Sequence, residues 1–404
     1  MPNIEKNKAR KGVAITGIGI ISAIGNTLEE NRISLLSSQS GIGDVTQIKT
    51  KQASQIKVGE VKLTNDELID QLNLPKDNNF TRTALLGLVA AKEAVKNSGI
   101  SIDASIETGF ISATSVGGMD KTEIHLKDFP SKRETQKYVS SHHAGDSTQK
   151  IADALGINGF VTTISTACSS AANAIMLGAR MITSGQLDRV IVGGTDALSK
   201  FTINGFKTLM ILSDDVCTPF DEDRKGLNLG EAAAYLVLES DEMTKNKNVL
   251  AYLTGYGNAN DAFHQTASSE TGEGAFLAMQ KALQIADLKS SDINYVNAHG
   301  TATPNNDLSE SMALTRIFGE PMPDFSSTKS FTGHTLAAAG AIEAVFSVMA
   351  LQEQTVWPNL NFRTKIEETG LEPTSVLKTK NIQNVLSNSF GFGGNCSTLI
   401  FSKR

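Results

Sequence analysis

The chain has 404 residues with a formal net charge of −6 at pH 7, and 40% of its residues are hydrophobic. This length supports a large core in one to three domains. No long basic block points to nucleic acid, and no run reaches the roughly 18 apolar residues of a membrane span. The cysteines Cys168, Cys217 and Cys396 are odd in number and too widely spaced for a zinc or redox motif, so a reducing, cytoplasmic setting fits best.

The first half of the chain alternates short apolar runs with longer helical patterns, which is typical of an α/β protein. Apolar residues at helical spacing predict helices over Arg82–Asn97 and Ser170–Thr183. The expected strands are Val13–Ile15, Gly109–Ala113, Val161–Ser165, Val190–Val192 and Ala232–Leu238.

The polar stretch Asp241–Asn248 marks a predicted boundary, which divides the chain into halves at residues 1–248 and 249–404. After it, Ala251–Gly257 echoes Val13–Gly19, as expected if the second half duplicates the first. An echo this short is equally compatible with two buried strands that match by coincidence. The elements expected in the second half are helices over Gly274–Ala286 and Ala337–Leu351 and strands over Tyr295–Asn297 and Thr398–Phe401.

Cys168 is the first candidate catalytic residue. It stands between the strand pattern Val161–Thr166 and a helical pattern that begins near Ser170. At a helix N-terminus, free backbone N–H groups and the helix dipole stabilise a thiolate. The sequence therefore predicts a nucleophile whose pKa lies well below the free value of about 8.5.

Two histidines stand in similar positions. His299 follows a predicted strand and His334 precedes a predicted helix, places where α/β folds collect functional groups. We expect both imidazoles to join Cys168 in one site at the junction between the halves, where clefts form. The histidines of the polar central stretch are expected to be solvated: His125, His142 and His143.

A cysteine with one histidine base would also describe a papain-like hydrolase. The second histidine favours carbon–carbon bond formation, because two neutral imidazoles that converge on one point can both donate hydrogen bonds to an enolate oxygen. Lys329, Asp307 and Glu343 could set the orientation and protonation of the imidazoles. Lys329 could equally be a surface lysine, and Glu343 a solvated position on a helix.

The segment Asn388–Asn395 is dense in glycine, which lets backbone N–H groups approach a ligand closely. It could supply an oxyanion-hole donor, with Phe392 as a movable apolar plug, or form a tight turn into the last strand. Gly17-x-Gly19 lacks the rest of the GxGxxG fingerprint, so no dinucleotide is predicted.

Motifs that are ordered along nearly the whole chain complete this picture: Val13–Gly17, Thr166–Ser170, Pro219–Asp221 with Gly230-Glu231, Asn297–Pro304 with Asp307, Ser327–Ser330 with Gly333-His334, and Asn388–Gly394. Together they resemble the β-ketoacyl-acyl carrier protein synthases of the elongating type, in the thiolase superfamily. The resemblance implies a thiolase-like five-layered αβαβα fold with duplicated halves, in homodimers.

The resemblance also implies the order of the chemistry. Cys168 takes the acyl chain as a thioester, and His299 and His334 hold the malonyl thioester carbonyl while carbon dioxide leaves. The carbanion then attacks the acyl-Cys168 carbonyl, whose oxyanion is received by the backbone N–H groups of Cys168 and Phe392. Phe392 also matches a gate that moves when the acyl pocket fills.

The resemblance further implies that Lys329 and Glu343 support His334. Thr301 and Thr303 match positions that hydrogen-bond the phosphopantetheine arm. The other residues expected to bind substrate are Val116, Phe206 and Phe390.

No cofactor is consumed in such a reaction, because the phosphopantetheine arrives on the acyl carrier protein, and no metal is expected. Carrier proteins are acidic. Lys132 and Arg133 match a basic pair used for docking, and Lys200 and Lys207 are expected near the same mouth.

The chain departs from the family pattern at three places. Phe160 follows Gly159 where the family usually has proline, Met210 stands where many members have a basic docking residue, and the chain is shortened between Gly118 and Lys132. These departures leave the carrier protein and the acyl chain undetermined.

The expected reaction is condensation in fatty-acid elongation. One alternative is the same chemistry in a dedicated polyene or polyketide pathway. Another is a non-catalytic partner subunit of the chain-length-factor type, against which the intact Cys168 and both histidines argue. A coenzyme-A thiolase is less favoured, because Cys396 is the only candidate second thiol and lies in a predicted buried strand.

Overall fold

The computed structural model of the protein describes residues 12–103 and 106–403. Within these ranges the helices are α1 (Leu28–Leu36), α2 (Asn65–Leu72), α3 (Arg82–Ser98), α4 (Met119–His125), α5 (Ala144–Leu155), α6 (Ser170–Thr183), α7 (Lys200–Thr208), α8 (Glu273–Ala286), α9 (Pro304–Phe318), α10 (Lys329–Thr332) and α11 (Ala339–Glu353). The strands are β1 (Val13–Ile21), β2 (Gly43–Asp44), β3 (Lys57–Gly59), β4 (Thr108–Ala113), β5 (Val161–Ile164), β6 (Arg189–Asp196), β7 (Leu229–Gly230), β8 (Ala232–Ser240), β9 (Ala251–Asn260), β10 (Tyr295–Asn297), β11 (Asp324–Ser326), β12 (Thr355–Val356), β13 (Lys378–Thr379), β14 (Asn384–Gly391) and β15 (Asn395–Ser402).

The main sheet consists of two halves with the same topology. The strand order is β5-β4-β6-β8-β1 in the first half and β11-β10-β14-β15-β9 in the second. In the first half, β1 pairs antiparallel with β8, β8 pairs antiparallel with β6, and β4 pairs parallel with both β5 and β6. In the second half, β9 pairs antiparallel with β15, β15 pairs antiparallel with β14, and β10 pairs parallel with both β11 and β14. β1 and β9 join the two halves. The duplication that the sequence echo suggested is therefore confirmed.

The glycines of the echo have a packing role. A Cβ on Gly19 of β1 would lie 2.2 Å from the carbonyl oxygen of Ala90 in α3. At the matching place in β9, a Cβ on Gly257 would lie 2.0 Å from the carbonyl oxygen of Ala278 in α8. Only glycine lets the outer helix of each half approach its strand this closely, so these glycines serve the packing of helix on strand.

The helices arrange the sheet halves into five layers. α6 and α11 pack between the two halves, α3 and α5 cover the outer face of the first, and α8 and α9 cover the outer face of the second. The predicted αβαβα arrangement is confirmed. The largest apolar cluster lies around the central helices, directly behind the residues that form the site.

One central helix is apolar all round. The segment Leu336–Glu353 has a mean hydropathy of 1.4 and enough length to cross a membrane, but 89% of it is buried inside the protein. A helix that is hydrophobic on every side is typical of a protein core. The segment contains Glu343, Ser347, Gln352 and Glu353, so it agrees with the sequence prediction that no run of about 18 apolar residues occurs.

The predicted elements are present with bounds that differ by a few residues, but several others were missed. Neither α5 nor α9 was predicted, although α9 carries residues of the site. Asn388–Gly391 belongs to strand β14, so only the second part of the glycine-rich segment is a turn. α11 begins at Ala339, after a short 3₁₀ turn, and not at Ala337.

Replacement of Gly257 by alanine tests the packing of α8 on β9. Because the new methyl group would overlap the Ala278 carbonyl, Gly257→Ala is expected to lower the free energy of unfolding by about 1–3 kcal/mol or more in urea denaturation. Gly205→Ala is the control, since a Cβ there meets nothing within 4 Å and alanine favours a helix by about 1 kcal/mol. Wild-type stability in Gly257→Ala would contradict this account of the echo.

Candidate active site

Cys168 lies in a tight turn between β5 and α6. The turn places Ala167 at a φ of +53°, and Ser170 Oγ accepts a hydrogen bond from the N–H of Thr166 at 2.8 Å. The cysteine is 6% exposed. The sequence predicted this position between strand and helix, and the structure places Cys168 in the wall of a cavity.

The protonation of Cys168 differs from the prediction. Burial raises the pKa of its thiol to about 11, although the charge of Lys329 and a hydrogen bond from the N–H of Phe392 both favour the thiolate. The expectation that the helix N-terminus would lower this pKa is wrong. Cys168 is a neutral thiol in the resting protein.

His299 stands where β10 leaves the sheet. Its N–H and that of Gly300 donate to the buried carboxylate of Glu310, at 2.9 and 2.8 Å. Lys329 Nζ lies 3.2 Å from His299 Nδ1 and 2.6 Å from the His299 carbonyl oxygen. Because an ammonium group has no lone pair, Nδ1 must accept this hydrogen bond, and the neutral ring carries its proton on Nε2.

His334 belongs to the second half but is held by the first. Its N–H donates to the carbonyl of Asn228 at 2.7 Å, and its carbonyl accepts from the N–H of Gly230 at 2.9 Å. His334 Nδ1 accepts from the N–H of Leu336 at 3.1 Å, so the proton of this neutral ring also sits on Nε2. The rings of His299 and His334 lie edge to face, with centroids 5.5 Å apart.

Both imidazoles are neutral at pH 7. Burial lowers the pKa of His299 well below its ordinary value, and the charge of Lys329 lowers it further. Burial and Lys329 likewise lower the pKa of His334 to about 3. The two rings can therefore present two Nε2–H donors without carrying charge.

Lys329 and Glu343 form a buried ion pair, with 3% and 2% of their side chains exposed. This excludes the surface interpretation of both residues. The side chain of Lys329 contacts His299 and Glu343, so the expectation that this pair supports His334 needs correction: the lysine side chain acts on the His334 ring through its charge. Burial raises the pKa of Glu343 to about 7 against the opposing effect of Lys329, and Ser389 Oγ donates to this carboxylate at 3.3 Å.

Asp307 has a different role from the one predicted. Its buried carboxylate accepts from the N–H groups of Phe220 at 2.7 Å and Ala302 at 3.1 Å. It holds the loop that follows His299 and reaches neither imidazole ring by these bonds. This corrects the expectation that Asp307 orients an imidazole.

Glu310 was missed by the sequence prediction. Besides holding His299 and Gly300, it accepts from Asn388 Nδ2 at 3.1 Å, and burial raises its pKa to about 7. Had α9 been predicted, the three-residue spacing from Asp307 would have placed both carboxylates on one helical face.

A cavity of about 330 Å³ contains the thiol and both imidazoles. Its wall includes further predicted residues: Thr301, Thr303, Phe206, Phe390 and Phe392. The hydroxyl oxygens of the two threonines are 2.9 Å apart. Cys396 also lines the cavity. Within the described ranges, no group of three or more His, Cys, Asp or Glu side chains is placed to hold a metal ion.

Val116 is the exception among the predicted substrate contacts. It does not line this cavity and packs instead, as Phe206 also does, against a neighbouring apolar cluster that includes Ile203 and Leu227.

The glycine-rich turn lies over the nucleophile. The N–H of Phe392 lowers the pKa of the Cys168 thiol, and the Phe392 ring stacks on Phe206 at a centroid distance of 6.0 Å. A Cβ on Gly391 would lie 2.8 Å from the carbonyl oxygen of Thr166, so this turn needs glycine for its close approach. The movement of Phe392 as a gate stays a prediction.

The basic residues expected to dock a carrier protein lie in two segments. Lys132 and Arg133 stand at the beginning of a 3₁₀ turn that follows α4. Lys200 and Lys207 lie on α7, where Lys207 immediately follows Phe206 of the cavity wall. Their use in docking stays a prediction.

Comparison with known proteins agrees with this geometry. The family described as "Beta-ketoacyl synthase, N-terminal domain" matches residues 10–243, and "Beta-ketoacyl synthase, C-terminal domain" matches residues 250–363. The 3-oxoacyl-[acyl-carrier-protein] synthase 2 of Staphylococcus aureus (strain COL) is 36% identical over 410 residues, covering 97% of this chain and 98% of the relative.

Two solved structures are similar over almost the whole fold. The ishigamide ketosynthase/chain length factor superposes with a TM-score of 0.90 at 29% identity, covering 98% of this chain and 100% of that one. The ketosynthase ApeO in complex with its chain length factor ApeC, from Xenorhabdus doucetiae, superposes with a TM-score of 0.86 at 31% identity, covering 98% of each chain.

The raised pKa of Cys168 predicts a characteristic pH profile. Because only the thiolate reacts, the rate of alkylation by iodoacetamide is expected to rise about tenfold per pH unit from pH 7 to about 10 without levelling off. Intact-mass analysis over time measures this rate, and Cys168→Ala identifies any contribution from Cys217 and Cys396. A plateau below about pH 9 would show instead that the thiolate is stabilised as the helix position first suggested.

Proposed function

This chain belongs to the β-ketoacyl synthase family, and on that premise we propose that it catalyses the decarboxylative condensation of malonyl-acyl carrier protein with an acyl thioester on Cys168. The product is a 3-oxoacyl-acyl carrier protein, two carbons longer, as in fatty-acid elongation. The enzyme is thus an acyltransferase that forms a carbon–carbon bond. The observation that carries the proposal is the convergence of one thiol and two neutral Nε2–H donors in one cavity.

The first half-reaction loads the enzyme. The sulfur of Cys168 attacks the carbonyl of an acyl-carrier thioester, the carbon–sulfur bond to the carrier breaks, and the proton lost by Cys168 ends on the carrier thiol. The N–H groups of Cys168 and Phe392 are proposed to receive the intermediate oxyanion, and the N–H of Phe392 already favours the thiolate form of Cys168.

The second half-reaction forms the new bond. The malonyl carboxylate leaves as carbon dioxide, and its bonding electrons pass into an enolate whose oxygen accepts hydrogen bonds from His299 and His334. The enolate carbon attacks the acyl carbonyl on Cys168. The tetrahedral intermediate then expels the cysteine thiolate, which takes up a proton.

Neutral imidazoles suit this step. A protonated imidazole would bind the carboxylate of the malonyl group by its charge before decarboxylation, whereas a neutral Nε2–H donor strengthens its interaction as the enolate develops. Burial and the charge of Lys329 keep His299 neutral, and the contact of Lys329 with Nδ1 leaves the ring proton on Nε2. Glu343 balances the lysine charge.

The substrates are proposed to arrive on an acyl carrier protein, as the name of the Staphylococcus aureus relative indicates for that enzyme. Thr301 and Thr303 are proposed to bind the phosphopantetheine arm, with no cofactor consumed. We further propose a cytoplasmic homodimer.

Met210 follows the C-terminus of α7 and is 88% exposed. This position therefore offers a carrier protein an apolar contact, where many members of the family have a basic residue.

A second candidate is the catalytic chain of a two-chain synthase in a dedicated polyene or polyketide pathway. It is favoured by the similarity to solved ketosynthases that are associated with a chain length factor. A non-catalytic subunit is disfavoured, because Cys168, His299 and His334 are all present and share one cavity.

The proposed function is tested by mixing the protein with malonyl-carrier protein and acyl-carrier proteins of graded length. Intact-mass analysis is expected to show the acyl group on Cys168 and a β-ketoacyl product two carbons longer. The length of the acyl chain that reacts fastest distinguishes fatty-acid elongation from a specialised pathway. If several carrier proteins, including the organism's own, give neither adduct nor product, the single-chain proposal fails, and a second synthase chain should be sought.

Two substitutions separate the half-reactions. Cys168→Ala is expected to abolish acyl transfer but to retain malonyl decarboxylation, because both imidazoles remain. His299→Ala is expected to lower decarboxylation by about a hundredfold, in line with the loss of one oxyanion donor elsewhere. Carbon dioxide release measures the second effect. Wild-type condensation in Cys168→Ala, or unchanged decarboxylation in His299→Ala, would remove that residue from its proposed role.

A further inference from the structure

Three asparagine side chains from separate elements meet behind the nucleophile. Asn173 lies on α6, Asn258 on β9, and Asn395 begins β15. Asn395 Oδ1 accepts from Asn173 Nδ2 at 2.8 Å and from Asn258 Nδ2 at 3.0 Å, and Asn258 Nδ2 also lies 3.0 Å from Asn173 Oδ1. Because α6 belongs to the first half of the chain and both strands to the second, this asparagine cluster joins the halves.

The asparagine cluster is bonded to both sides of the nucleophile. Asn395 Oδ1 accepts from Ser169 Oγ at 2.7 Å, and Asn173 Nδ2 donates to Thr166 Oγ1 at 2.9 Å. Thr166 and Ser169 enclose Cys168 in its turn. On the other side, Asn395 is the residue with which the glycine-rich turn ends.

The two oxyanion donors therefore depend on two turns from different halves of the protein. Both turns contain backbone in the left-handed region: Ala167 has a φ of +53°, and Gly393 and Gly394 have φ values of +83° and +80°. Such geometry persists where the surroundings enforce it. The cluster supplies a direct side-chain connection between the turn of Cys168 and the turn of Phe392.

We propose that Asn173, Asn258 and Asn395 are positioning residues that set the distance between the N–H groups of Cys168 and Phe392. The inference rests on the proposed condensation. None of the three asparagines lines the cavity, so they act through the turns and touch no reacting atom.

The proposal distinguishes the partial reactions. Acyl transfer and condensation both pass through an oxyanion on a carbonyl attached to Cys168, so both need the two N–H donors. Malonyl decarboxylation develops its negative charge on an enolate oxygen held by His299 and His334, and it does not use the two backbone N–H donors. A fault in the asparagine cluster should slow the first two steps and leave decarboxylation unchanged.

The experiment compares Asn395→Ala and Asn258→Ala with the wild type. Asn395→Ala removes the shared acceptor and is expected to slow single-turnover acyl transfer to Cys168 by about tenfold to a hundredfold, below the full loss of an oxyanion donor. Asn258→Ala removes one half-buried donor, leaves the bonds to Thr166 and Ser169 in place, and is expected to have a smaller effect of the same kind. In both variants carbon dioxide release from malonyl-carrier protein is expected to stay within about twofold of wild type.

Asn381→Ala is the matched control. Asn381 is an exposed asparagine whose Oδ1 accepts from Gln383 Nε2, and it contacts no residue of the cluster by hydrogen bond. It is expected to leave both rates unchanged.

Two results would overturn the inference in a wild type that condenses normally. One is acyl transfer at the wild-type rate in both cluster variants. The other is an equal decrease in the rates of acyl transfer and decarboxylation together with a lower Tm, which would show that the asparagines serve only the stability of the fold. Asn258→Ala keeps the test decisive if Asn395→Ala fails to fold. A wild type without acyl transfer would instead overturn the proposed function itself, and this inference with it.

Discussion

A buried ammonium group beside His299 is the constraint on which the chemistry of this site depends. Lys329 fills the acceptor position of His299 Nδ1 and so directs the Nε2 proton towards the cavity. Burial lowers the pKa of both imidazoles, and the charge of Lys329 lowers it further, so both rings stay neutral. Glu343 makes this buried charge tolerable, and removal of one partner from such a pair typically costs about 3–5 kcal/mol. The ion pair of Lys329 with Glu343 therefore affects both the stability of the fold and the protonation of the two imidazoles.

The duplicated fold explains why residues far apart in sequence share one cavity. Cys168 follows β5, the third main-sheet strand of the first half, and precedes the central helix α6. His334 follows β11, the third main-sheet strand of the second half, and precedes the central helix α11. The thiol and this imidazole thus occupy equivalent places in the two halves. His299 follows the neighbouring parallel strand β10, whose carboxyl end opens on the same edge of the sheet.

Local pattern predicted the position of each reacting group but not its protonation. A helix N-terminus contributes about 0.3–1 kcal/mol to an anion, whereas one pKa unit corresponds to about 1.4 kcal/mol. The burial of Cys168 outweighs the helix effect, and the pKa rises although the predicted position between strand and helix is correct. The family resemblance assigned Lys329 to His334, whereas the hydrogen bonds of its side chain go to His299 and Glu343.

The sequence by itself determined the α/β class, the thiol, both imidazoles and the glycine-rich turn, because each has a signature within a short stretch of chain. The echo only suggested the duplication, which the repeated strand order established. The tertiary structure alone decided that Glu310 holds the backbone of His299, that Asp307 holds a loop, and that Val116 does not line the cavity. It also decided which asparagines join the two turns. Such facts depend on burial and on contacts between distant segments. A local pattern contains neither, since both arise only when the two halves pack against their shared central helices.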